Sequence, residues 1–138
     1  MKDASSLDPA LVEAPYPFQK HIGFYLVDWR EDYARFDLPL ADFLGNRYGI
    51  LHGGVHALMC DTVMGFAGCY TGDPDNRKLG MTLSLNVNYM GQLKGQTLVA
   101  EGWRTGGGRK SFFGEAKISD ELGNVAATGT GVFRYRGS

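Results

Sequence analysis

The chain has 138 residues and a formal net charge of −1, with 43% hydrophobic and 21% charged residues. This composition is typical of a globular domain, and the near-zero charge argues against a nucleic-acid binder, which usually shows a basic excess. No apolar run approaches the roughly 20 residues needed to span a bilayer. We therefore expect one domain over residues 1–138, small enough to gain from sharing buried surface in a homo-oligomer.

Residues 1–20 indicate a loosely ordered N-terminal segment. It contains Pro9, Pro15 and Pro17, and we expect a short helix around residues 9–13. Its mixture of Lys, Asp, Glu and Pro is unlike a secretory signal. The default expectation is therefore a cytoplasmic location.

Two strands are predicted next, over residues 22–30 and 33–38, joined by a turn at Glu31 and Asp32. Apolar and polar side chains alternate along the second strand, as they do in a half-buried strand. Residues 42–52 are polar and contain glycine, so we expect a loop there.

Residues 53–70 predict the one long helix, which ends at a turn that contains Gly and Pro in residues 71–74. Its apolar side chains recur at spacings of three and four: Val55, Leu58, Met59, Thr62, Val63, Phe66 and Tyr70. Cys60 and Cys69 lie more than about 10 Å apart along this helix, too far for a disulfide within one subunit. We expect both to be small buried apolar residues.

Strands are predicted for the rest of the chain. Residues 81–89 show the clearest apolar and polar alternation, and three more strands are expected over residues 97–105, 110–119 and 124–135 in an antiparallel meander. The single long helix is the only element able to cover such a sheet. The pattern therefore predicts an α+β fold in which a curved antiparallel sheet wraps around one central helix, and the 20 glycines indicate bent strands and close backbone approaches.

A second face of the predicted helix carries small residues and one carboxylate. At about 100° per residue the following side chains fall on one stripe: Gly54, Ala57, Asp61, Gly65 and Gly68. A glycine within a helix costs roughly 1 kcal/mol relative to alanine, so the stripe indicates close approach by a ligand, a partner helix or a strand. The alternative is tight helix–sheet packing beside a solvated Asp61.

The start of the helix is suited to polarising a carbonyl group. Gly53 and Gly54 have no side chains, so their backbone N–H groups are accessible at the positive end of the helix dipole. Such donors stabilise a developing oxyanion. Asp61 lies roughly 12 Å further along the helix axis, too far to act on the same carbonyl within one subunit. We therefore predict that Gly53 of one subunit works with the carboxylate of another.

The segment NRYGILHGGV, residues 46–55, followed by Asp61, resembles the phenylacetyl-CoA thioesterase and mammalian acyl-CoA thioesterase branch of the hotdog superfamily. The segment MTLSLNVNYM, residues 81–90, resembles the next strand of that family. A His-Gly-Gly sequence alone is a weak signal. Here an asparagine stands seven residues before Gly53 and the carboxylate eight residues after it, which makes the pattern specific.

This resemblance covers about residues 20–135 and implies the hotdog fold, a curved antiparallel sheet wrapped around one long central helix. It implies hydrolysis of acyl-CoA thioesters to the free acid and CoA by a homo-oligomer, either a dimer or a dimer of dimers (a homotetramer). It implies no metal and no organic cofactor, because CoA is part of the substrate. Neither a nucleic acid nor a membrane is expected as a partner.

The resemblance also implies the roles of individual residues. The Gly53 N–H would polarise the thioester carbonyl, and Asp61 would act as the general base on water or as a nucleophile. Asn46 would help to hold the carbonyl or the water, and Thr82 would orient the attacking water. His52 would shape the turn through hydrogen bonds.

Substrate binding is assigned to three further residues. Gly54 belongs to the same turn as the oxyanion donor. Arg109 and Lys110, which follow three consecutive glycines, are candidates for binding the CoA phosphates, with ordinary solvated turn charges as the alternative. The identity of the acyl group is left open between an aryl group and a medium aliphatic chain, which the small-residue stripe and the aromatic residues Tyr48, Phe66, Tyr70 and Tyr89 both permit.

Other functions fit the sequence less well. His52, His56 and Cys60 have helical spacing, but the pattern is not His-Glu-x-x-His and lacks a convincing third ligand or base. No Gly-x-Ser-x-Gly element of a serine hydrolase is present. The alternatives are a non-catalytic acyl-CoA-binding protein and a hotdog-fold hydratase or dehydratase, and replacement of Asp61 separates binding from turnover.

Overall fold

The computed structural model describes residues 7–137, which form one antiparallel sheet around one long helix. The helices and strands are α1 Pro17–Ile22, β1 Tyr25–Arg30, β2 Tyr33–Pro39, α2 Gly53–Gly68, β3 Gly80–Tyr89, β4 Thr97–Gly107, β5 Ser111–Asp120 and β6 Val125–Tyr135. Short 3₁₀ turns occur at Pro9–Leu11 and Asp42–Leu44.

The six strands are arranged in the order β1-β2-β4-β5-β6-β3, and every neighbouring pair is antiparallel. The predicted meander is present as β4-β5-β6. Strand β3 does not join β4, its neighbour in sequence, but pairs with β6 and forms one edge of the sheet. This placement leaves one side of β3 without a strand partner within residues 7–137.

Helix α2 packs against the concave face of the sheet, but through a broader face than the predicted one. Its buried residues are His56, Met59, Cys60, Val63, Met64, Ala67 and Gly68. Several predicted core positions, including Val55, Leu58 and Phe66, are only partly buried. The sheet curves around the helix and covers two adjacent faces, so a single apolar stripe does not describe the contact.

Close approaches between helix and sheet explain two of the glycines. A methyl group on Gly68 would overlap the Phe112 ring of β5. A Cβ atom on Gly102 in β4 would lie 2.6 Å from the backbone oxygen of Val63. The prediction of close backbone approaches is confirmed at both positions, and at Gly68 the approaching group is the sheet.

The N-terminal part differs from the prediction. The helix expected over residues 9–13 is a shorter 3₁₀ turn, and helix α1 was not predicted. Helix α1 ends at Gly23, whose φ of 103° is accessible to glycine, so β1 begins three residues later than expected. Residues 1–6 of the predicted loose segment lie outside the described residues.

The α+β architecture is the expected hotdog fold, in which the curved sheet wraps around α2. The predicted end of the long helix at residue 70 is two residues too late, because Cys69 is its C-cap. In the part of the chain that the structure describes, no helix is long and apolar enough to cross a membrane.

Candidate active site

Asp61 and Thr82 meet in a cleft beside helix α2. The Thr82 hydroxyl on β3 donates a hydrogen bond to Oδ1 of Asp61 at 2.5 Å. Asp61 is half-buried, and both residues line a cleft with a volume of about 370 Å³. The structure therefore brings together two of the predicted site residues and leaves Oδ2 of the carboxylate available to a further group.

The walls of this Asp61 cleft are largely apolar. They include Leu11, Trp29, Phe66 and Phe133. Trp29 is held by a hydrogen bond from its Nε1 to the backbone oxygen of Phe66 at 2.8 Å, and their rings pack 5.0 Å apart. Of these four residues the sequence indicated only Phe66 as a possible pocket residue, because apolar and aromatic side chains more often belong to a core.

The first turn of α2 is arranged by His52, its N-cap residue. His52 Nδ1 accepts a hydrogen bond from the Gly54 N–H at 2.8 Å. Among residues 7–137, no acceptor contacts the Gly53 N–H. The cap therefore uses the donor of Gly54 and leaves that of Gly53 available.

Asn46 lines a second cleft together with Gly53, His56 and Tyr89. The side-chain oxygen of Asn46 accepts hydrogen bonds from the backbone N–H groups of Tyr48 at 2.9 Å and of Ile50 at 3.4 Å. Because these donors require an oxygen there, the Asn46 amide nitrogen is the group left without a partner in the described part of the chain. The predicted oxyanion donor and Asn46 thus share one cleft.

Two further residues support this second cleft: Tyr89, which the sequence indicated only as a possible pocket aromatic, and His56, which was considered only as a metal ligand. The Tyr89 hydroxyl donates to the backbone oxygen of Gly53 at 2.6 Å. The ring of His56 packs edge-on against the Tyr89 ring with centroids 5.5 Å apart, and burial lowers the pKa of His56 below its usual value. The alternation in β3 placed Tyr89 on a strand, but periodicity does not indicate a contact with the start of α2.

The predicted site residues therefore fall into two groups within one subunit. Asp61 and Thr82 line the first cleft, whereas Asn46 and Gly53 line the second. Gly54 lines neither of these two clefts.

Arg109 and Lys110 lie at the turn between β4 and β5, outside both clefts. The backbone oxygen of Lys110 accepts a hydrogen bond from the Tyr135 N–H at 2.9 Å. The turn therefore lies next to Arg136, which follows Tyr135 in the sequence and lines the Asp61 cleft. Lys78 also lines that cleft. The sequence indicated only Arg109 and Lys110. Lys78 and Arg136 are distant from that turn in sequence, and only the folding of the chain brings them to the same corner.

The cysteines are not arranged as reactive groups. Cys60 is fully buried, and burial raises the pKa of its thiol to about 12. Cys69 is partly exposed rather than buried, and its pKa is raised to about 11, mainly by burial. Over residues 7–137, no group of three or more His, Cys, Asp or Glu side chains is close enough to hold a metal ion.

Solved structures with the same fold come from several bacteria. A conserved protein from Pseudomonas aeruginosa is 25% identical, with a TM-score of 0.78 over 91% of this chain and 96% of its own. A thioesterase from Haemophilus influenzae is 19% identical, with a TM-score of 0.73 over 86% and 81% of the two chains. The PaaI protein from the E. coli phenylacetic acid degradation operon is 15% identical, with a TM-score of 0.77 over 89% and 86%. At the two lower identities the likeness shows the fold alone.

Sequence comparison assigns the family. A comparison with curated protein sequences gave no match. The family model of the thioesterase superfamily matches residues 48–127, which include all of α2 and β3 and therefore both Asp61 and Thr82. Together with the fold, this match over more than half of the residues shows that the chain belongs to the thioesterase superfamily.

Proposed function

We propose that this protein hydrolyses acyl-CoA thioesters to the free acid and CoA. The observation that carries the proposal is the Thr82–Asp61 hydrogen bond of 2.5 Å in a cleft with apolar walls. A thioester carbonyl is already electrophilic and its thiolate leaves easily, so a carboxylate and an oxyanion donor are sufficient machinery. Membership of the thioesterase superfamily supports the same reaction class.

In the proposed enzyme, each active site is built from two subunits. Strand β3 contacts the Asp61 cleft through Thr82 near its start and the Gly53 cleft through Tyr89 at its end. If two copies of β3 pair antiparallel about a two-fold axis, the start of one strand faces the end of the other. The Asp61 of one subunit then faces the Gly53 N–H of the partner, which removes the separation of about 12 Å along one helix.

The surface of β3 supports this pairing. It is an edge strand, and it exposes large apolar side chains at Met81, Leu83, Leu85 and Tyr89. A long edge with unpaired backbone groups and apolar side chains is prone to pair with another chain. A second copy of this protein is the occupant we propose, which makes the enzyme a homo-oligomer of at least two subunits.

The proposed chemistry uses the groups left unpaired in each cleft. The Gly53 N–H and the Asn46 amide nitrogen donate to the thioester oxygen as negative charge develops on it. Asp61, held by Thr82 through Oδ1, takes a proton through Oδ2 from a water whose oxygen bonds to the carbonyl carbon, or attacks that carbon itself to form an anhydride that water then cleaves. The bond from carbon to sulfur breaks, and the CoA thiolate takes up a proton. No cofactor is needed in this scheme.

We further propose that the CoA phosphates bind at the corner where cations converge. Lys78 and Arg136 line the Asp61 cleft, and Arg109 and Lys110 lie on the adjacent turn. Arg136 and Lys78 are both exposed, and the Lys78 ammonium also lies 5.0 Å from the Tyr135 ring centroid. Phosphate recognition by Lys and Arg side chains is favoured by their charge and hydrogen-bond donors.

The first test is release of free thiol from a panel of aryl and aliphatic acyl-CoAs. We expect turnover by the wild type and a loss of about 10² to 10⁴ in rate for Asp61→Ala. If the wild type binds acyl-CoA without turnover, the protein is a non-catalytic acyl-CoA-binding protein. Hydration of an enoyl-CoA without thiol release would instead indicate a hydratase.

The second test mixes two inactive variants. Gly53→Pro removes the donor at the first helical position, where proline is favoured and where the extended His52 already suits it, while Gly53→Ala keeps the donor as a control. If sites are shared, mixing Gly53→Pro with Asp61→Ala before refolding gives about a quarter of the wild-type rate, since half of the dimers are mixed and each has one intact site. No recovered activity would place both groups of a site in one subunit.

Single-turnover hydrolysis in H₂¹⁸O separates the two roles of Asp61. With enzyme in excess, a general base sends ¹⁸O from water directly into the acid product. A nucleophile sends an unlabelled carboxylate oxygen into the product when water attacks Asp61 of the anhydride, and the label then remains on the protein. Mass spectrometry then locates the label: ¹⁸O in the peptide that contains Asp61 identifies the nucleophile, whereas ¹⁸O in the acid alone excludes attack of water on Asp61 of an anhydride.

A further inference from the structure

A short N-terminal strap, residues 9–16, lies across the Asp61 cleft. Leu11, Glu13 and Tyr16 line the cleft together with Asp61. Leu11 is only 3% exposed and belongs to the main core cluster, so the strap is anchored at its beginning. Burial and the negative charges of Asp61 and Glu13 raise the pKa of Tyr16, in agreement with its position beside the carboxylate.

One arginine holds the strap in place. The Arg77 guanidinium contacts Oε1 of Glu13 at 2.9 Å through Nη1. It also lies 3.5 Å from the backbone oxygens of Leu11 and Ala10. Arg77 follows helix α2 and precedes β3, so it connects the strap to the segment that leads into the active-site strand.

The apolar walls opposite the strap are built into the helix and the sheet, and the loop between α2 and β3 supplies the polar rim. Gly65 and Phe66 belong to α2, and Trp29 and Phe133 belong to strands of the sheet. The strap pairs with no strand, and its own backbone hydrogen bonds are local, as in the bond from the Val12 N–H to the oxygen of Pro9. The position and size of this wall can therefore change without a change in the sheet.

We propose that the strap is the specificity-determining wall of the acyl pocket, and that Tyr16 sets the upper limit on the length of the acyl group. This inference rests on the proposed function, because it takes the Asp61 cleft as the place where the acyl group binds. The ring of Tyr16 closes the cleft on the side of the strap, and the Arg77–Glu13 pair keeps that ring in position. An acyl chain that reaches Tyr16 must displace the strap or lose contact with the cleft.

Tyr16 is a suitable position for substitution. It is the N-cap of α1, but its side chain makes no capping hydrogen bond, so Tyr16→Ala removes the ring without removing a cap. Tyr25 on β1 is a matched control, since Tyr16 is 43% exposed and Tyr25 is 48% exposed and lines neither cleft. Tyr16→Phe keeps the ring and removes only the hydroxyl.

The experiment measures binding of S-alkyl-CoA thioethers, from propyl to dodecyl, by titration calorimetry. These probes cannot be hydrolysed, so the result is independent of turnover. We expect wild-type affinity to stop rising beyond a limiting chain length, and Tyr16→Ala to extend that limit. The affinity ratio of dodecyl to propyl thioether then rises at least about tenfold, the discrimination typical of a few atoms in an apolar pocket. Tyr16→Phe and Tyr25→Ala keep the wild-type limit.

Loosening the strap has a related effect. Arg77→Met and Glu13→Gln each remove the ion pair, and both should extend the chain-length limit in the same direction as Tyr16→Ala. Hydrogen–deuterium exchange should increase over residues 9–16 and remain unchanged in the strands. Unchanged exchange over the strap in both variants would overturn the role assigned to Arg77.

The outcomes separate this inference from the proposed function. An identical chain-length profile for wild type and Tyr16→Ala overturns the inference, even if the wild type hydrolyses acyl-CoAs. A shifted profile without any turnover supports the strap as the pocket wall and rejects the hydrolase. Failure of the wild type to bind any thioether overturns the inference as well.

Discussion

The hydroxyl of Tyr89 donates a hydrogen bond to the backbone oxygen of Gly53 at 2.6 Å. The contact joins the end of the edge strand β3 to the first residue of the long helix α2. His52 holds the same turn from the other side by accepting from the next N–H, that of Gly54. The orientation of the unpaired Gly53 N–H is therefore determined by the strand as well as by the helix cap.

We predict that Tyr89→Phe lowers kcat by about two- to tenfold with little change in KM, because one hydrogen bond of about 0.5–1.5 kcal/mol no longer orients the oxyanion donor. The phenyl ring keeps its contact with His56, so the melting temperature should fall by no more than a few degrees. The measurement is steady-state kinetics of Tyr89→Phe, with Tyr25→Phe as the control variant. A lower melting temperature with an unchanged kcat would mean that the contact is only structural.

Thr82 is predicted to act through its hydroxyl. Thr82→Val has the same shape but cannot donate to Asp61, and a hydrogen bond to a charged group contributes about 1.5–3 kcal/mol. We expect kcat to fall by about one to two orders of magnitude, and Thr82→Ser to retain most of the activity. Equal activity of the Val and Ser variants in the thiol-release assay would show that the hydroxyl has no part in turnover.

Two glycines of α2 should respond in opposite ways to a methyl group. In Gly68→Ala the methyl overlaps Phe112, which is fully buried and stacked 4.8 Å from Phe133, so we expect a net loss of about 1–2 kcal/mol in the free energy of unfolding. In Gly65→Ala the nearest atom, on Phe133, is 3.7 Å away, so the better helix propensity should dominate and stabilise by up to about 1 kcal/mol.

Urea unfolding at one fixed protein concentration checks this pair, because the stability of an oligomer depends on concentration. The two variants add the same methyl group to the same helix, so their difference reports the local packing. Equal stabilities for the two alanine variants would contradict the contact between Gly68 and Phe112.

Asp120 should make the stability dependent on acid pH. Burial raises its pKa, but hydrogen bonds from the backbone of Lys94 and Gly95 and from both the backbone and the side chain of Asn124 outweigh this and hold the pKa well below its usual range. The unfolded chain, with a pKa of about 3.9, binds this proton first as the pH falls. The contribution of the Asp120 carboxylate to the free energy of unfolding is complete above about pH 4 and is lost progressively below it.

The measurement is the free energy of unfolding between pH 6 and pH 2 for the wild type and Asp120→Asn. The variant is expected to be less stable at neutral pH and to lose less stability on acidification. Asp75→Asn, at an exposed carboxylate, is the control and should keep the wild-type slope. An unchanged slope for Asp120→Asn would show that other carboxylates govern the acid response.

Much of the fold and part of the site could be predicted from local patterns. The alternation over residues 81–89 predicts β3, and the sequence His52-Gly53 predicts the start of α2, because side-chain periodicity and helix capping act over a few residues. Helix α1 was missed because its six residues, which begin with Pro17 and are followed by Gly23, are too few to show a period. The selection of Thr82 depended on the family resemblance and not on the pattern of the strand.

The sequence by itself determined which residues share a strand face or a helix turn, and hence the α+β class, the long helix and the candidate oxyanion donor at the start of the helix that carries Asp61. Only the tertiary structure decided what covers each face. It placed β3 beside β6 at the sheet edge, brought Thr82 to Asp61 across 21 positions and brought Arg77 to Glu13 across 64. Such contacts depend on strand order and helix rotation, which arise from packing over the whole core and leave no period in the sequence.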